Sequence, residues 1–485
     1  MNEERNESYS HVLKYTGVFG GVQGLNVLIG LVRNKFVAML LGPGGMGLVS
    51  LFNTTVQLIS QATNLGIAMS AVRHISECYD AGDTEHTAHY VKVVRGWCLL
   101  TALLGMLVCV VLGPFFSNAT FSWGNHTLHF VLLAPAIGML AITGGETAIL
   151  KGVRKLGALA LVQIVAALAS LVIAIPIYYM FGQAGIVPVI VLMAFATMSA
   201  TLWFSWRIFP LQLRGTRGIL GEGMEMVRLG VAFTLAGIVG SGAEMFVRSY
   251  LNVMGDLEVL GLYNAGYMLT ITYAGMVFSA METDYYPRLS AVNHDVAATN
   301  LMVNRQMEVS LLIVAPMLTA LIALLPILIP YLFTSEFVPV VPMAQVAALA
   351  MFFKVLTMPV AYITLARGYS MTYLMLEAAY YVAFVLLMVV GYQYWGLLGT
   401  GIAITLAHVF ECLMINGYAY KKYGYRMSAA VYRYAIVLLL FGFLAYACTI
   451  FLDGIVYWLV ELVAIVASAL YALQNLKSSS MSNKL

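Results

Sequence analysis

The chain has 485 residues, 61% of them hydrophobic and 10% charged, with a mean hydropathy of +0.88. Soluble proteins carry about 25% charged and roughly 45–50% apolar residues, so a water-soluble enzyme, a nucleic-acid-binding protein, a disulfide scaffold and a disordered chain are all disfavoured. The net charge of +3 points to no nucleic-acid partner. What remains is an all-α polytopic membrane protein.

The first eleven residues are polar, with Glu3, Glu4 and Glu7 against Arg5. That is a poor signal-peptide start, and no small-residue cleavage site follows, so the first apolar helix is expected to stay uncleaved. A bilayer core of about 30 Å needs roughly 20 apolar residues. On that criterion the sequence predicts about fourteen transmembrane helices, at 15–41, 48–72, 96–116, 128–150, 157–181, 185–206, 229–253, 260–281, 309–333, 340–366, 373–394, 396–418, 431–452 and 455–474. With the N-terminus in the cytoplasm, 21 of the 25 Lys and Arg residues fall at cytoplasmic ends and none in the opposite loops. This asymmetry matches the positive-inside rule, and the even number of spans predicts that both termini are cytoplasmic. The other four, Arg33, Lys35, Arg248 and Lys354, lie inside predicted helices. The five cysteines are scattered, odd in number and mostly in apolar runs, which reads as small hydrophobes.

The chain repeats itself at a nearly constant offset. Arg33 matches Arg248, Gly47-Leu48 matches Gly261-Leu262, and Arg73 matches Arg288. Lys151-Gly152 matches Arg367-Gly368, and Gly182-x-x-Gly185 matches Gly396-x-x-Gly399. Such a period predicts two copies of one unit. Six helices per copy is even, so the copies are parallel pseudo-repeats forming two lobes around a central cleft. The expected division is an N-terminal lobe at 1–213, a C-terminal lobe at 214–428, and two additional helices with a short cytoplasmic tail at 429–485.

Ionisable residues at membrane depth cost at least about 2.5–3.5 kcal/mol if left facing lipid. Arg33 lies nine residues before Gly42, about 13 Å by helical rise. Either Arg33 and Lys35 snorkel to outer headgroups, or Arg33 and Arg248, one per lobe, make the cleft cationic for an anionic phosphate group. Glu244 stands four residues before Arg248 and can neutralise it. Glu146, Glu377, Glu411 and Glu461 also sit within spans, as structural acids, counter-ions, or proton or sodium sites. Glu244, Glu377 and Glu411 are the ion-coupling candidates, Glu411 foremost because His408 lies beside it at helical spacing. In the second span Asn53, Gln57, Ser60, Gln61 and Asn64 recur at intervals of three and four, which puts them on one stripe. Lipid offers such groups no partners, so they face a water-filled cleft or another helix. His86-x-x-His89 and His126-x-x-His129 lack further ligands at metal spacing. No nucleotide-binding loop or nucleophile–base pair is visible, so neither an enzyme nor a cofactor is expected.

The segment from Phe36 to Glu77, FVAMLLGPGGMGLVSLFNTTVQLISQATNLGIAMSAVRHISE, combines an apolar helix, an LG-x-x-x-x-G turn, a polar-lined helix with a late glycine (Gly66) and a basic-acidic end. It resembles the Wzx polysaccharide flippases of the multidrug/oligosaccharidyl-lipid/polysaccharide exporter superfamily, and the duplicated twelve-helix core extends the resemblance to nearly the whole chain. The resemblance implies a flippase moving an undecaprenyl-pyrophosphate-linked oligosaccharide, an O-antigen or similar repeat unit of lipopolysaccharide, across the bacterial inner membrane. It also implies an alternating-access cavity with Arg33, Arg248 and Lys354 as its cations, and a polysaccharide polymerase or ligase as a possible partner. Substrate binding is accordingly expected at Arg33, Arg248, Lys354, Lys35, Asn53, Gln57, Gln61 and Asn64. The chain is also similar to MurJ-type lipid II flippases but lacks an arginine cluster in the inner part of the first span, where Lys14 stands alone. A cation-coupled exporter of drugs or small metabolites is the other alternative. Drug/sodium antiporters of the superfamily carry N-lobe acidic clusters, where this chain has only Glu146 in its first six spans.

Overall fold

A computed structural model describes residues 2–121, 124–211 and 219–482, and every element among them is helical. In chain order they are α1 (Asn2–Thr63), α2 (Ile67–Asp80), α3 (Thr84–Thr120), α4 (Thr127–Gly152), α5 (Leu156–Phe181), α6 (Ile186–Ile208) and α7 (Ile219–Met254). There follow α8 (Leu257–Tyr267), α9 (Tyr273–Val292), α10 (Val296–Leu332), α11 (Val341–Ala366), α12 (Ser370–Tyr423), α13 (Ala429–Phe451) and α14 (Gly454–Ser482).

Among the described residues nine helical stretches are long and apolar enough to cross a bilayer. Three of them, Gly24–Thr63 (40 residues), Gly157–Ile208 (52) and Ser370–Tyr423 (54), are about twice the length one crossing needs. Each is broken at a glycine with positive φ: Gly42 (φ 64°), Gly182 (φ 54°) and Gly396 (φ 56°). A side chain there would cost roughly 1–2 kcal/mol. These breaks fall where the sequence predicts span boundaries. The Gly182 and Gly396 pair also share their ψ values, −132° and −136°. In each unit the following glycine of the motif packs on the same preceding turn, Gly185 on Ile177 and Gly399 on Gly391. The sequence offset of 214 thus corresponds to one turn built twice.

Several spans differ from expectation. The second was expected to run to 72, but its helix ends at Thr63 and a separate helix, α2, begins at Ile67. Leu65 (φ 53°) and Gly66 (φ 69°) are both left-handed. The reason is tertiary: a Cβ on Gly66 would lie 2.5 Å from Gly230 Cα, so the chain bends where two backbones touch. The eighth span comes in pieces, α8, a π-turn at Met268–Thr272, and α9. Side-chain caps set other boundaries. Asp295 accepts from the Ala297 and Ala298 amides and starts α10 well before the expected 309, and Ser428 accepts from Val431 to start α13.

The chain divides into two compact units, Met1–Gly261 and Leu262–Leu485. The expected boundary at 213/214 falls in 212–218, outside the described residues. Within the first unit α7 packs on α1, α2 and α3, and α4 packs on α2, α3 and α6. A dry cluster of Ile67, Ala71 and Ile75 from α2, Val94 and Trp97 from α3, and Ile149 from α4 joins three of these helices. Within the second unit α10 contacts α11, α13 and α14, and α11 packs along α12. On α3, by contrast, Leu99, Leu103, Leu107, Val111 and Phe115 recur every four residues and are all exposed. A continuous apolar stripe of that kind belongs against lipid.

Candidate functional site

The second half of α1 carries the stripe read from the sequence. Asn53, Gln57 and Gln61 are exposed, Ser60 and Asn64 half-buried, while Leu51, Phe52, Val56 and Ile59 on the other side are buried. The hydroxyls of Thr54, Thr55 and Thr63 bond carbonyls one turn back in their own helix. They are absorbed by the backbone, and the amides remain at the surface. Glycine contacts hold the helix at both ends of the stripe. Before it, a Cβ on Gly261 would overlap the Pro43 carbonyl, and one on Gly47 would overlap the Leu257 carbonyl. Beyond it stands the Gly66–Gly230 approach. Gln61 lies against α7, its Oε1 3.0 Å from where a Gly237 Cβ would stand.

The first half of α1 holds Arg33 and Lys35, both half-buried. Arg33 donates from Nε (3.4 Å) and Nη2 (3.2 Å) to Asn34 Oδ1 and lies within electrostatic reach of Tyr178 on α5. Arg248 on α7 is only 7% exposed. It forms an ion pair with Glu244 Oε2 at 2.9 Å and donates from Nε to Ser50 Oγ at 2.9 Å. The neutralisation anticipated from the four-residue spacing is present, and Arg248 also ties α7 to α1.

In the second unit Lys354 on α11 bonds Glu411 Oε1 on α12 at 2.9 Å. Its Nζ also lies 5.8 Å from the Tyr380 ring centroid. Glu411 is 2% exposed, and its Oε2 has no hydrogen-bond partner. Glu377, one turn before Tyr380, is half-buried, bonds Tyr373 and acts electrostatically on Lys354. His408 stacks edge-on against Tyr380 at 5.4 Å, with Nδ1 2.9 Å from the Ile404 carbonyl oxygen. The structure thus gathers Lys354, Glu377, Glu411 and His408 into one polar cluster inside an apolar helix pair.

A further ion pair was not legible in advance. Arg95, counted with the cytoplasmic basic residues, lies within α3 and grips Glu146 on α4 with both arms, Nε–Oε1 at 2.8 Å and Nη2–Oε2 at 3.1 Å. Ser205 and Trp206 on α6 donate to the same carboxylate, and the Phe209 carbonyl accepts from Arg95 Nη2 at 2.9 Å. Every lone pair direction is used, which makes Glu146 a structural acid. An acid within an apolar run and an arginine at the edge of another were the available signals. Glu461 on α14 is 1% exposed with neither oxygen bonded. At the other end of the first unit the rings of His126 and His129 lie tilted, their centroids 5.2 Å apart, with His126 against Phe121. Among the described residues no three His, Cys, Asp or Glu side chains gather as a metal site would require.

Helices of this order and geometry have the fold of solved transporters of the MOP superfamily. The structure of the lipid II flippase MurJ in an inward closed conformation superimposes with a TM-score of 0.69 at 13% identity, covering 96% of this chain and 99% of that one. An inward-facing multidrug resistance MATE family transporter gives 0.67 at 16% identity, over 90% of this chain and 100% of that one. A MOP superfamily transporter from Pyrococcus furiosus gives 0.60 at 15% identity, over 84% and 94%. No curated protein sequence matches the chain. The family described as "Polysaccharide biosynthesis protein" matches residues 12–293, more than half the length, and the chain belongs to that family.

Proposed function

We propose that the protein flips a polyprenyl-pyrophosphate-linked oligosaccharide, an O-antigen or similar surface-glycan unit, from the cytoplasmic to the periplasmic leaflet of the bacterial inner membrane by alternating access. The observation that carries this reading is the exposed amide stripe of Asn53, Gln57 and Gln61 on the helix that follows Arg33, in a chain of the polysaccharide biosynthesis family. Amides donate and accept together, which suits sugar hydroxyls. A guanidinium presents a planar fork of donors, which suits pyrophosphate. The polyprenyl tail stays in lipid throughout, and no covalent step is required. The distribution of Lys and Arg supports cytoplasmic termini, and a polymerase or ligase on the periplasmic side would consume the product.

In this reading Arg33 and Lys35 meet the pyrophosphate while Asn53, Gln57, Gln61 and Asn64 meet the glycan. Arg248 and Lys354 are held by Glu244 and Glu411. A proton taken up by either acid would release its cation toward the phosphate, and cargo release would let the pair close again, with Glu377 beside Lys354 in support. The test is leaflet-resolved labelling of polyprenyl-linked glycans in cells lacking the gene. Glycan should accumulate on the cytoplasmic side and be cleared by the wild-type gene but not by Arg33→Ala at equal expression. A normal leaflet distribution with new sensitivity to toxic cations would replace this reading with a cation-coupled exporter.

A further inference from the structure

A cavity of about 460 Å³ opens between α9 and the start of α10, lined by Arg288, Val292, Leu301, Met302, Arg305 and Val309 among others. The α10 members recur at intervals of three and four and share one helix face, and Arg288 and Val292 are one turn apart on α9. Two cations therefore meet several apolar side chains in one concavity, within a single unit of the chain.

Depth decides what such a cavity suits. α10 has 37 residues, about 55 Å by helical rise, against a hydrocarbon core of about 30 Å. Its apolar run begins near Val309, so the preceding turns, with Arg305, stand at headgroup level. Leu301 and Val309 are 57% and 41% exposed on either side of that arginine. Among the described acids near the cavity, Asp295 caps α10 through the Ala297 and Ala298 amides, and Glu308 accepts from Ser428 Oγ. Each guanidinium has five N–H donors, enough to meet a phosphate besides the contacts it already makes. A free anion would leave the apolar walls wet, whereas an amphiphile satisfies both halves of the cavity.

We propose that this cavity binds an anionic membrane phospholipid, its phosphate on Arg288 and Arg305 and its first acyl segment along Leu301, Met302 and Val309. Basic pockets of transmembrane helices at the anionic cytoplasmic leaflet recognise lipid headgroups in this way. The site does not depend on the identity of the cargo, and its test does not measure transport.

The experiment is native mass spectrometry of the full-length protein released from nanodiscs of mixed phosphatidylglycerol and phosphatidylcholine. Wild type should retain phosphatidylglycerol selectively. Arg288→Gln and Arg305→Gln should each weaken that retention about tenfold, equivalent to about 1.4 kcal/mol. Leu301→Trp, which fills the cavity and leaves both arginines, should abolish it as well. Undiminished selectivity in the double Gln variant, or in folded Leu301→Trp, overturns the proposal. So does displacement of the lipid from wild type by millimolar inorganic phosphate, which would make the site one for free anions.

Discussion

Replacing Lys354 by Met with Glu411 left in place removes the positive partner of a carboxylate that is 2% exposed. At the observed Nζ–Oε1 separation of 2.9 Å the Coulomb attraction is about 6 kcal/mol at an effective dielectric constant of about 20. Withdrawing each ion from water costs several kcal/mol, so the pair as a whole lies near balance, whereas one ion alone keeps its penalty uncompensated. Among the described residues Lys354 supplies the hydrogen bond to this carboxylate, whose Oε2 has no partner. Lys354→Met should therefore destabilise the protein by about 3–5 kcal/mol, and Lys354→Met with Glu411→Leu should return to within about 1–2 kcal/mol of wild type. Glu411→Leu alone should cost less than Lys354→Met, because the lysine side chain is 31% exposed and can turn its ammonium outward. Unfolding of the purified proteins in one detergent measures all four corners of the cycle, and surface-glycan production in deletion cells is read in parallel. The double variant is expected to be stable and inactive in transport, as a cation released toward cargo requires. Were it no more stable than Lys354→Met, the electrostatic reasoning would be refuted.

Two further outcomes follow from local geometry. Gly261→Ala places a methyl against the Pro43 carbonyl and should cost about 1–3 kcal/mol by overpacking, whereas Gly21→Ala, inside α1 with nothing within 4 Å, should not lower the melting temperature, since alanine is the better helix former; equal melting of the two variants would contradict the close approach. In the polar turn before α3, Asp83 accepts from the His86 amide and then from its ring, and these bonds hold its carboxyl below the ordinary value of 3.8. The cap's contribution is then complete above that ordinary value and lost as pH falls through the lowered one. Protection of the His86 amide from hydrogen exchange, corrected for the intrinsic rate, should be flat from about pH 8 to about pH 5 and absent in Asp83→Ala. Loss of protection already near neutral pH would count against the cap.

The all-helical membrane fold and the breaks at Gly42, Gly182 and Gly396 were legible in the sequence because each is local. Apolar run length sets a crossing, and a positive φ asks for glycine wherever the rest of the chain lies. The doubled turn at Gly182 and Gly396 was legible for the same reason, as was the Glu244–Arg248 pair, whose partners sit one turn apart on a single helix. The polar stripe was visible as a periodicity, but its exposure was not, since a periodicity does not say what faces it. Only the tertiary structure decided which other charges are matched. Arg95 finds Glu146 at a separation of 51 residues, and Lys354 finds Glu411 at 57. Neither distance is encoded in hydropathy, because the pairing depends on how two helices are rotated about their axes when they pack. The early end of the second span had the same origin, a backbone contact between Gly66 and Gly230 that no window of apolar residues contains.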